Sequence, residues 1–183
     1  MPGGEFAGLT WEDIDMKNRI ITIDHQLQYK RLGADNFDFH VTPTKNTHTR
    51  NISMTDDVYD ILSELHKYFF ILRKDYCVDG KKDFLFYSKS GNLLNITSFN
   101  YELKKVVKKY NEAAEYKIDK ISAHTLRHTG CTRNAEDGMD IKVLQYLMGH
   151  SNTQITNNVY NHVNEERAAS EVVNVATRRR NKA

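Results

Sequence analysis

The chain lacks the features that mark secreted, membrane-spanning and strongly charged proteins. Its 183 residues contain two cysteines, Cys77 and Cys131, which are too few for a disulfide framework and fit a reducing compartment. No apolar run approaches the roughly 20 residues of a membrane helix, and no signal peptide opens the chain. The formal net charge is +2, so nucleic-acid binding would depend on positive charge concentrated on one face.

The composition and the apolar patterns fit one globular domain. Hydrophobic residues make up 39% and charged residues 27% of the chain, as in ordinary soluble domains. Alternating apolar and polar residues predict three strands, at 19–26, 37–43 and 50–54. The polar stretch between the second and third strands predicts a small antiparallel sheet with a hairpin tip at Lys45.

Apolar residues at intervals of three and four, preceded by capping residues, predict helices in most of the remaining chain. The predicted helix starts are Thr55, Thr97, Ser122, Asp140, Ser151 and Asn164. The fold class is therefore predicted to be α+β, a mostly helical domain with a small three-stranded antiparallel sheet.

The last third of the chain carries side chains suited to chemistry at phosphorus. His124 and Arg127 fall on one face of a helix, His150 follows a glycine at a predicted helix end, and Tyr160 comes ten residues later. A tyrosine phenolate is a competent nucleophile at phosphorus when cations neutralise the phosphoryl charge and an acid protonates the leaving oxygen. This order points to phosphoryl transfer through a phosphotyrosine.

The segments that hold these residues, 121–129, 144–151 and 158–162, resemble the catalytic domain of tyrosine recombinases, and within that family the integrases of conjugative transposons. The segment 5–15 resembles the family's first box, so the resemblance covers nearly the whole chain, 1–183. It implies a site-specific recombinase that cuts and rejoins double-stranded DNA at transposon ends and target sites. The intermediate would be a 3′-phosphotyrosyl linkage, with no metal ion or other cofactor and no ATP.

The resemblance also implies a role for each residue of the cluster. Tyr160 is the nucleophile, Arg127 stabilises the pentacoordinate phosphate, and His150 contacts the phosphate. His124 can donate to a non-bridging oxygen or exchange a proton with the nucleophile. Lys45 acts as the general acid on the leaving 5′ oxygen.

Four further side chains are weaker candidates for contacts with the DNA backbone. They are His48 and Arg50, which lie close to Lys45 in sequence, and Lys104 and Lys108 of one predicted helix. Glutamates interleave with these two lysines, so an ordinary solvated helix face is an equally good interpretation.

One position departs from the family pattern. The family's first catalytic arginine precedes the glutamate of the first box by three residues; Glu5 matches that glutamate, and Pro2 stands in the arginine's place. Proline cannot donate to a phosphate. We expect this to reflect truncation of a longer protein, with core-binding and arm-binding domains upstream. Loss of one such donor costs on the order of 3–4 kcal/mol, so the chain itself is expected to have low activity.

The segment 164–183 is predicted to be a helix followed by a basic tail. In the family, the corresponding segment packs against a neighbouring protomer, which implies a homo-oligomer, a tetramer on DNA; docking onto its own domain is the alternative. The resemblance further implies a bacterial, cytoplasmic, DNA-associated protein without membrane contact, and allows for a directionality factor as a partner.

Other functions stay open at this point. A type IB topoisomerase shares the chemistry, and a catalytically impaired DNA-binding module would account for the missing arginine. A metallohydrolase would use His124, His128 and His150 as ligands, but Thr125 stands where a zincin needs its glutamate base. A nucleophilic pair of Cys131 and His128 is a fourth alternative, although Cys131 fits more simply as a small packing residue.

Overall fold

The chain divides into two compact units, Met1–His128 and Thr129–Ala183, and each is considered by itself. The computed structural model describes residues 1–31, 33, 36–45, 48–72 and 74–149. Over these residues, no helix is both long and apolar enough to cross a membrane.

The described residues form helices and short strands. The helices are α1 (Gly3–Gly8), α2 (Asp56–Lys67), α3 (Phe69–Leu72), α4 (Ile96–Ala113), α5 (Ala123–Glu136) and α6 (Ile141–Met148). The strands are β1 (Ile14–Asp15), β2 (Ile20–Ile23), β3 (His25–Arg31), β4 (Phe37–Pro43) and β5 (Arg50–Ser53). The predicted class, a mostly helical α+β domain with a three-stranded antiparallel sheet, is confirmed.

The strands pair differently from the prediction. β1, β2 and β5 form the three-stranded sheet, while β3 and β4 form a separate two-stranded sheet. β4 pairs with β3 from His25↔Pro43 to Arg31↔Phe37, and not with β5. Alternation identifies a strand, but its partner depends on contacts distant in sequence. Lys45 therefore lies in the connection between two sheets and not at the tip of a hairpin.

Local capping fixes the helix starts in the first unit. Thr55 Oγ1 accepts a hydrogen bond from Val58 N (3.4 Å) at the start of α2, as predicted. The cap of α4 is Asn95, earlier than predicted, because Asn95 and Ser98 form a reciprocal capping box. The helix then ends at Ala113.

Two apolar clusters hold α1 and the strands together in the first unit. Their buried members are Leu9, Ile23, Met54, Leu62 and Leu85 in one cluster and Ala7, Leu27, Phe84 and Leu93 in the other. The chain that follows α1 pairs with the connection before α4, because Leu85 N donates to Leu9 O (2.9 Å) and Trp11 N donates to Asp83 O (3.0 Å).

The second unit begins within α5, and its described part ends at Gly149. Cys131, Ala135 and Leu144 form its buried cluster. Cys131 is 2% exposed, which fits a packing residue better than a nucleophile. Asp140 caps α6 by accepting from two backbone N–H groups, and Gly149 ends it with a left-handed φ of 63°, both as predicted.

Candidate active site

Arg127 of α5 is half-buried and lines a cavity of about 260 Å³ at the start of α1. The other lining residues come from the starts of α1, α4 and α5: Met1, Gly3, Phe6, Ile96, Phe99, Ala123 and Leu126. α1 packs closely here, because a Cβ on Gly3 would come within 2.1 Å of Ile96 Cδ1. Both sequence neighbours of Pro2 line this cavity, so the position that lacks the family's first arginine borders the cavity of Arg127.

His124 is exposed on α5, one turn before Arg127. The start of this helix is tied to α4, because Ala123 N donates to Asn100 Oδ1 at 2.8 Å. His124 Nε2 lies 3.1 Å from His128 Nε2, so one ring donates to the other. α5 therefore carries the predicted histidine and arginine together, and His128 is a hydrogen-bond partner for His124.

Lys45 is exposed in the connection between β4 and β5. The residue before it, Thr44, is 3% exposed. Thr44 N donates to Asp24 O (3.4 Å), and Thr44 Oγ1 donates to His48 O (3.3 Å). The Lys45 side chain is thus exposed to solvent, while the residue before it is buried and hydrogen-bonded. His48 is exposed on the same connection.

Arg50 is buried, which argues against the predicted contact with DNA. Its Nη1 donates to Glu5 Oε1 at 3.2 Å and its Nη2 donates to Glu5 Oε2, and both side chains are 5% exposed. A guanidinium enclosed in this way cannot reach a docked duplex without leaving a buried carboxylate unpaired, which is costly. The pairing gives Glu5 and Arg50 a structural role.

Replacing Glu5 by glutamine is expected to lower the free energy of unfolding by about 3–5 kcal/mol, because the Arg50 charge stays buried without its counter-ion. Urea denaturation followed by circular dichroism measures this change. The matched control is Asp56→Asn, which breaks the exposed ion pair with Arg19 and is expected to cost less than about 1 kcal/mol. Equal losses in the two variants would contradict the structural role of the buried pair.

A buried histidine that the sequence analysis did not single out joins α1 to the strands. His25 is 8% exposed. Its Nε2 donates to Gly8 O at the end of α1 (2.8 Å), and its Nδ1 is hydrogen-bonded to the Asp24 carboxylate. Asp13, whose Oδ2 is 3.8 Å from His25 Nε2, accepts from Thr10 N and Thr10 Oγ1, both at 2.8 Å.

Asp13, Asp24 and His25 also carry potential metal-ligand atoms within 4.8 Å of one another. These atoms are already engaged in hydrogen bonds with Gly8, with Thr10 and among themselves. The group is therefore best described as a hydrogen-bond network in which Asp13 and His25 are buried and Asp24 is partly exposed.

Lys104 and Lys108 are exposed on α4. On the same helix, Glu102 pairs with Lys105 (3.0 Å) and with Lys89 (3.1 Å), and the hydrogen bond from Lys105 lowers the pKa of Glu102 below its usual value. Lys104 and Lys108 form no ion pair within the part of the chain that the structure describes. Their charges are thus available to an anionic ligand.

His150 and Tyr160 lie outside the described residues. Their roles as phosphate ligand and nucleophile stay predictions.

Comparison with known proteins decides the family. A model of the phage integrase family matches residues 3–167 of this chain. The chain belongs to the phage integrase family. The matched range contains every residue of the predicted cluster, from Lys45 to Tyr160.

Curated proteins to which the chain is similar include a transposase and a tyrosine recombinase, and both are longer than this chain. The transposase from transposon Tn916 of Enterococcus faecalis is 37% identical over 172 residues, which are 92% of this chain and 40% of that protein. Tyrosine recombinase XerC of Natranaerobius thermophilus is 29% identical over 164 residues, 90% of this chain and 47% of that protein. The chain thus spans less than half the length of these relatives.

A solved structure supports the same fold. The Tn1549 transposon integrase in complex with transposon right end DNA superimposes with a TM-score of 0.84 and 33% sequence identity, over 96% of this chain and 55% of that chain. The likeness confirms the α+β fold of an integrase catalytic domain.

Proposed function

We propose that this chain is the catalytic part of a site-specific DNA recombinase of a mobile element. The observation that carries the proposal is the cavity that Arg127 lines together with the start of α1. It places the arginine of α5 next to the segment that resembles the family's first box, although the two are far apart in sequence. An arginine there presents a planar fork that suits two phosphate oxygens. Membership in the phage integrase family supports the same activity.

In the proposed reaction, Tyr160 gives its phenolic proton to His124, its oxygen attacks the scissile phosphorus, and the bond between phosphorus and the 5′ oxygen breaks. Lys45 protonates that leaving oxygen, which yields a free 5′ hydroxyl and a tyrosine joined to the 3′ phosphate. Arg127, His124 and His150 stabilise the negative charge of the pentacoordinate phosphate. Attack of a 5′ hydroxyl on the phosphotyrosine reverses the step, so these roles require neither ATP nor a metal ion.

Double-stranded DNA, at the ends of the element and at its target site, is the proposed substrate. The Tn1549 integrase has been solved with transposon right end DNA and with circular intermediate DNA. On this chain, Lys104 and Lys108 of α4 present charges without ion-pair partners within the described residues, and His48 is exposed beside Lys45. Such side chains suit contacts with the phosphate backbone.

The double substitution Lys104→Ala and Lys108→Ala is expected to weaken binding to duplex DNA. It should also reduce the slope of log affinity against log salt by about 2, because each lost phosphate contact releases about one counter-ion less. Fluorescence anisotropy with a labelled duplex at several salt concentrations gives both quantities.

The matched control for this experiment is Lys67→Ala on α2. Lys67 Nζ is 2.6 Å from Glu64, and this bond lowers the pKa of the Glu64 carboxyl. The control is expected to leave the salt slope unchanged. An unchanged slope in the double variant as well would remove α4 from the proposed DNA interface.

We also propose that the protein acts in the bacterial cytoplasm as a homo-oligomer on DNA, a tetramer joined through the segment 164–183, and that a directionality factor is a further partner. The resemblance to transposon integrases supports this proposal. The mass of the protein–DNA complex in solution tests the assembly.

Covalent trapping tests the proposed activity. The probe is a nicked duplex carrying the end of the element on which the gene lies, and the proteins are the complete gene product and the 183-residue chain. A covalent protein–DNA adduct on a denaturing gel is the expected result for the complete product. Binding without an adduct would instead support a DNA-binding module that has lost the chemistry, an alternative favoured by Pro2. Relaxation of supercoils without exchange between sites would support a type IB topoisomerase.

A further inference from the structure

The connection that carries Lys45 lies between two strand pairs, β3–β4 and β2–β5. Pro43 pairs with His25, and Arg50 pairs with Ile23. Asp24 is the one residue between Ile23 and His25 in the sequence, and residues 44–49, here named the Lys45 connection, join Pro43 to Arg50. The position of Lys45 depends on what holds the two ends of this connection.

The first end is tied to α1 through His25. Thr44 N donates to Asp24 O (3.4 Å), and the Asp24 carboxylate is hydrogen-bonded to His25 Nδ1. His25 Nε2 donates to Gly8 O (2.8 Å), and because a carbonyl only accepts, this nitrogen carries a proton. One buried imidazole thus links the last residue of α1 to Asp24, which accepts from Thr44 of the Lys45 connection.

The end of α1 is held so close to β3 that no side chain fits between them. A Cβ on Gly8 would lie 2.7 Å from Leu27 N and 3.2 Å from Gln26 C, distances at which the backbones would have to separate. The hydrogen bond from His25 therefore starts from a fixed helix end.

The second end of the Lys45 connection is tied to the same helix through Arg50. Arg50 is the first residue after the connection, and its guanidinium contacts both carboxylate oxygens of Glu5. Both side chains are 5% exposed, so the pair is shielded from competing water and ions. A two-point contact between planar groups fixes orientation as well as distance.

We propose that His25 and Arg50 are positioning residues for Lys45, because they fix both ends of its connection to α1. Since α1 also borders the cavity of Arg127, this linkage fixes the position of the general acid, Lys45, relative to Arg127, the proposed phosphate ligand. The inference rests on the proposed function, in which Lys45 protonates the leaving 5′ oxygen. A displacement of about 1 Å in such a group can cost about 10²-fold in rate.

The experiment compares two nicked duplexes that differ in one atom at the scissile bond, an oxygen or a sulfur in the 5′ bridging position. A thiolate leaves without being protonated, so the sulfur substrate does not need a general acid. Cleavage rates are measured for the complete gene product and for its Lys45→Ala, Arg50→Lys and His25→Gln variants. Arg50→Lys keeps the charge but cannot make the two-point contact, and His25→Gln keeps a polar side chain of similar size.

Lys45→Ala is expected to slow cleavage of the oxygen substrate by about 10²–10⁴-fold and to cleave the sulfur substrate at close to the parent rate. Arg50→Lys and His25→Gln are expected to show the same pattern with losses of about 10²-fold on oxygen. Leu144→Ala, which removes a fully buried side chain from the separate cluster of Cys131 and Ala135, is the control for general destabilisation. It is expected to affect both substrates equally.

Each outcome separates the inference from the function on which it rests. Equal losses on both substrates in Arg50→Lys and His25→Gln would overturn the positioning role, because sulfur would then not restore the rate. If the sulfur substrate fails to rescue Lys45→Ala while the parent still forms an adduct, Lys45 is not the acid and the inference is wrong, although the recombinase activity stands. If the parent forms no adduct on either substrate, the proposed function itself fails.

Discussion

Replacing Tyr160 by phenylalanine is expected to abolish the covalent protein–DNA adduct. The substitution removes only the proposed nucleophilic oxygen and keeps the aromatic ring, so no bond to phosphorus can form. Loss of a catalytic nucleophile lowers turnover by about 10⁴-fold or more even where the rest of a site is intact. The measurement is the adduct formed by the complete gene product on the nicked duplex, resolved on a denaturing gel.

Two further observations make this test specific. DNA binding by the Tyr160→Phe variant, measured by anisotropy, should match that of the parent, because the hydroxyl is not expected to carry the affinity. Tyr116→Phe is the matched control, since the chain has ten tyrosines and Tyr116 is 81% exposed. An adduct that persists in Tyr160→Phe and disappears in another tyrosine variant would move the nucleophile elsewhere in the chain.

Local signals in the sequence locate the helices well. Thr55 and Asp140 cap α2 and α6 as predicted, because a cap depends on residues within about three positions of it. The spacing of His124 and Arg127 likewise predicts that both belong to one helix, and both lie on α5. These features depend only on residues within one or two helical turns of one another in the sequence.

The strand pairing could not be predicted in the same way. The sequence suggests that β4 and β5 pair across Lys45, since they are adjacent, but β4 pairs with β3 and β5 pairs with β2. Alternation shows which residues face inward, while the choice of partner is made by contacts across the fold. This difference matters for the site, because Lys45 lies in a connection whose two ends pair with His25 and Ile23, and not at the tip of a hairpin.

For Arg50, the residue type suggests an exposed side chain, whereas the alternation of β5 indicates a buried one. As a charged residue near Lys45, it was predicted to contact DNA, because arginine is usually exposed. Yet alternation in β5 puts Arg50 on the same face as Ile52 and Met54, the inward face, while Asn51 is exposed. Its partner, Glu5, lies 45 residues earlier, so the pair itself was beyond any local pattern.

Replacing Pro2 by arginine is expected to raise the rate of adduct formation by the 183-residue chain by about 10²–10³-fold, the effect of one preorganised donor in such a site. Pro2 has φ of −61° and ψ of 152° at the start of α1, a conformation open to any residue. Its carbonyl accepts from Phe6 N (3.0 Å), and this bond survives the substitution. The new side chain would start at the rim of the cavity that Arg127 lines.

The control Pro2→Gln adds a side chain of similar reach without the charge, and it is expected to change the rate little. An equal gain from glutamine would mean that the proline ring, and not a missing cation, limits the rate of adduct formation. Because both guanidiniums are expected to bind the same phosphate, the gain from Pro2→Arg should largely disappear in an Arg127→Ala background. An undiminished gain in the Arg127→Ala background would mean that positions 2 and 127 act independently. The cavity would then not be part of the proposed active site.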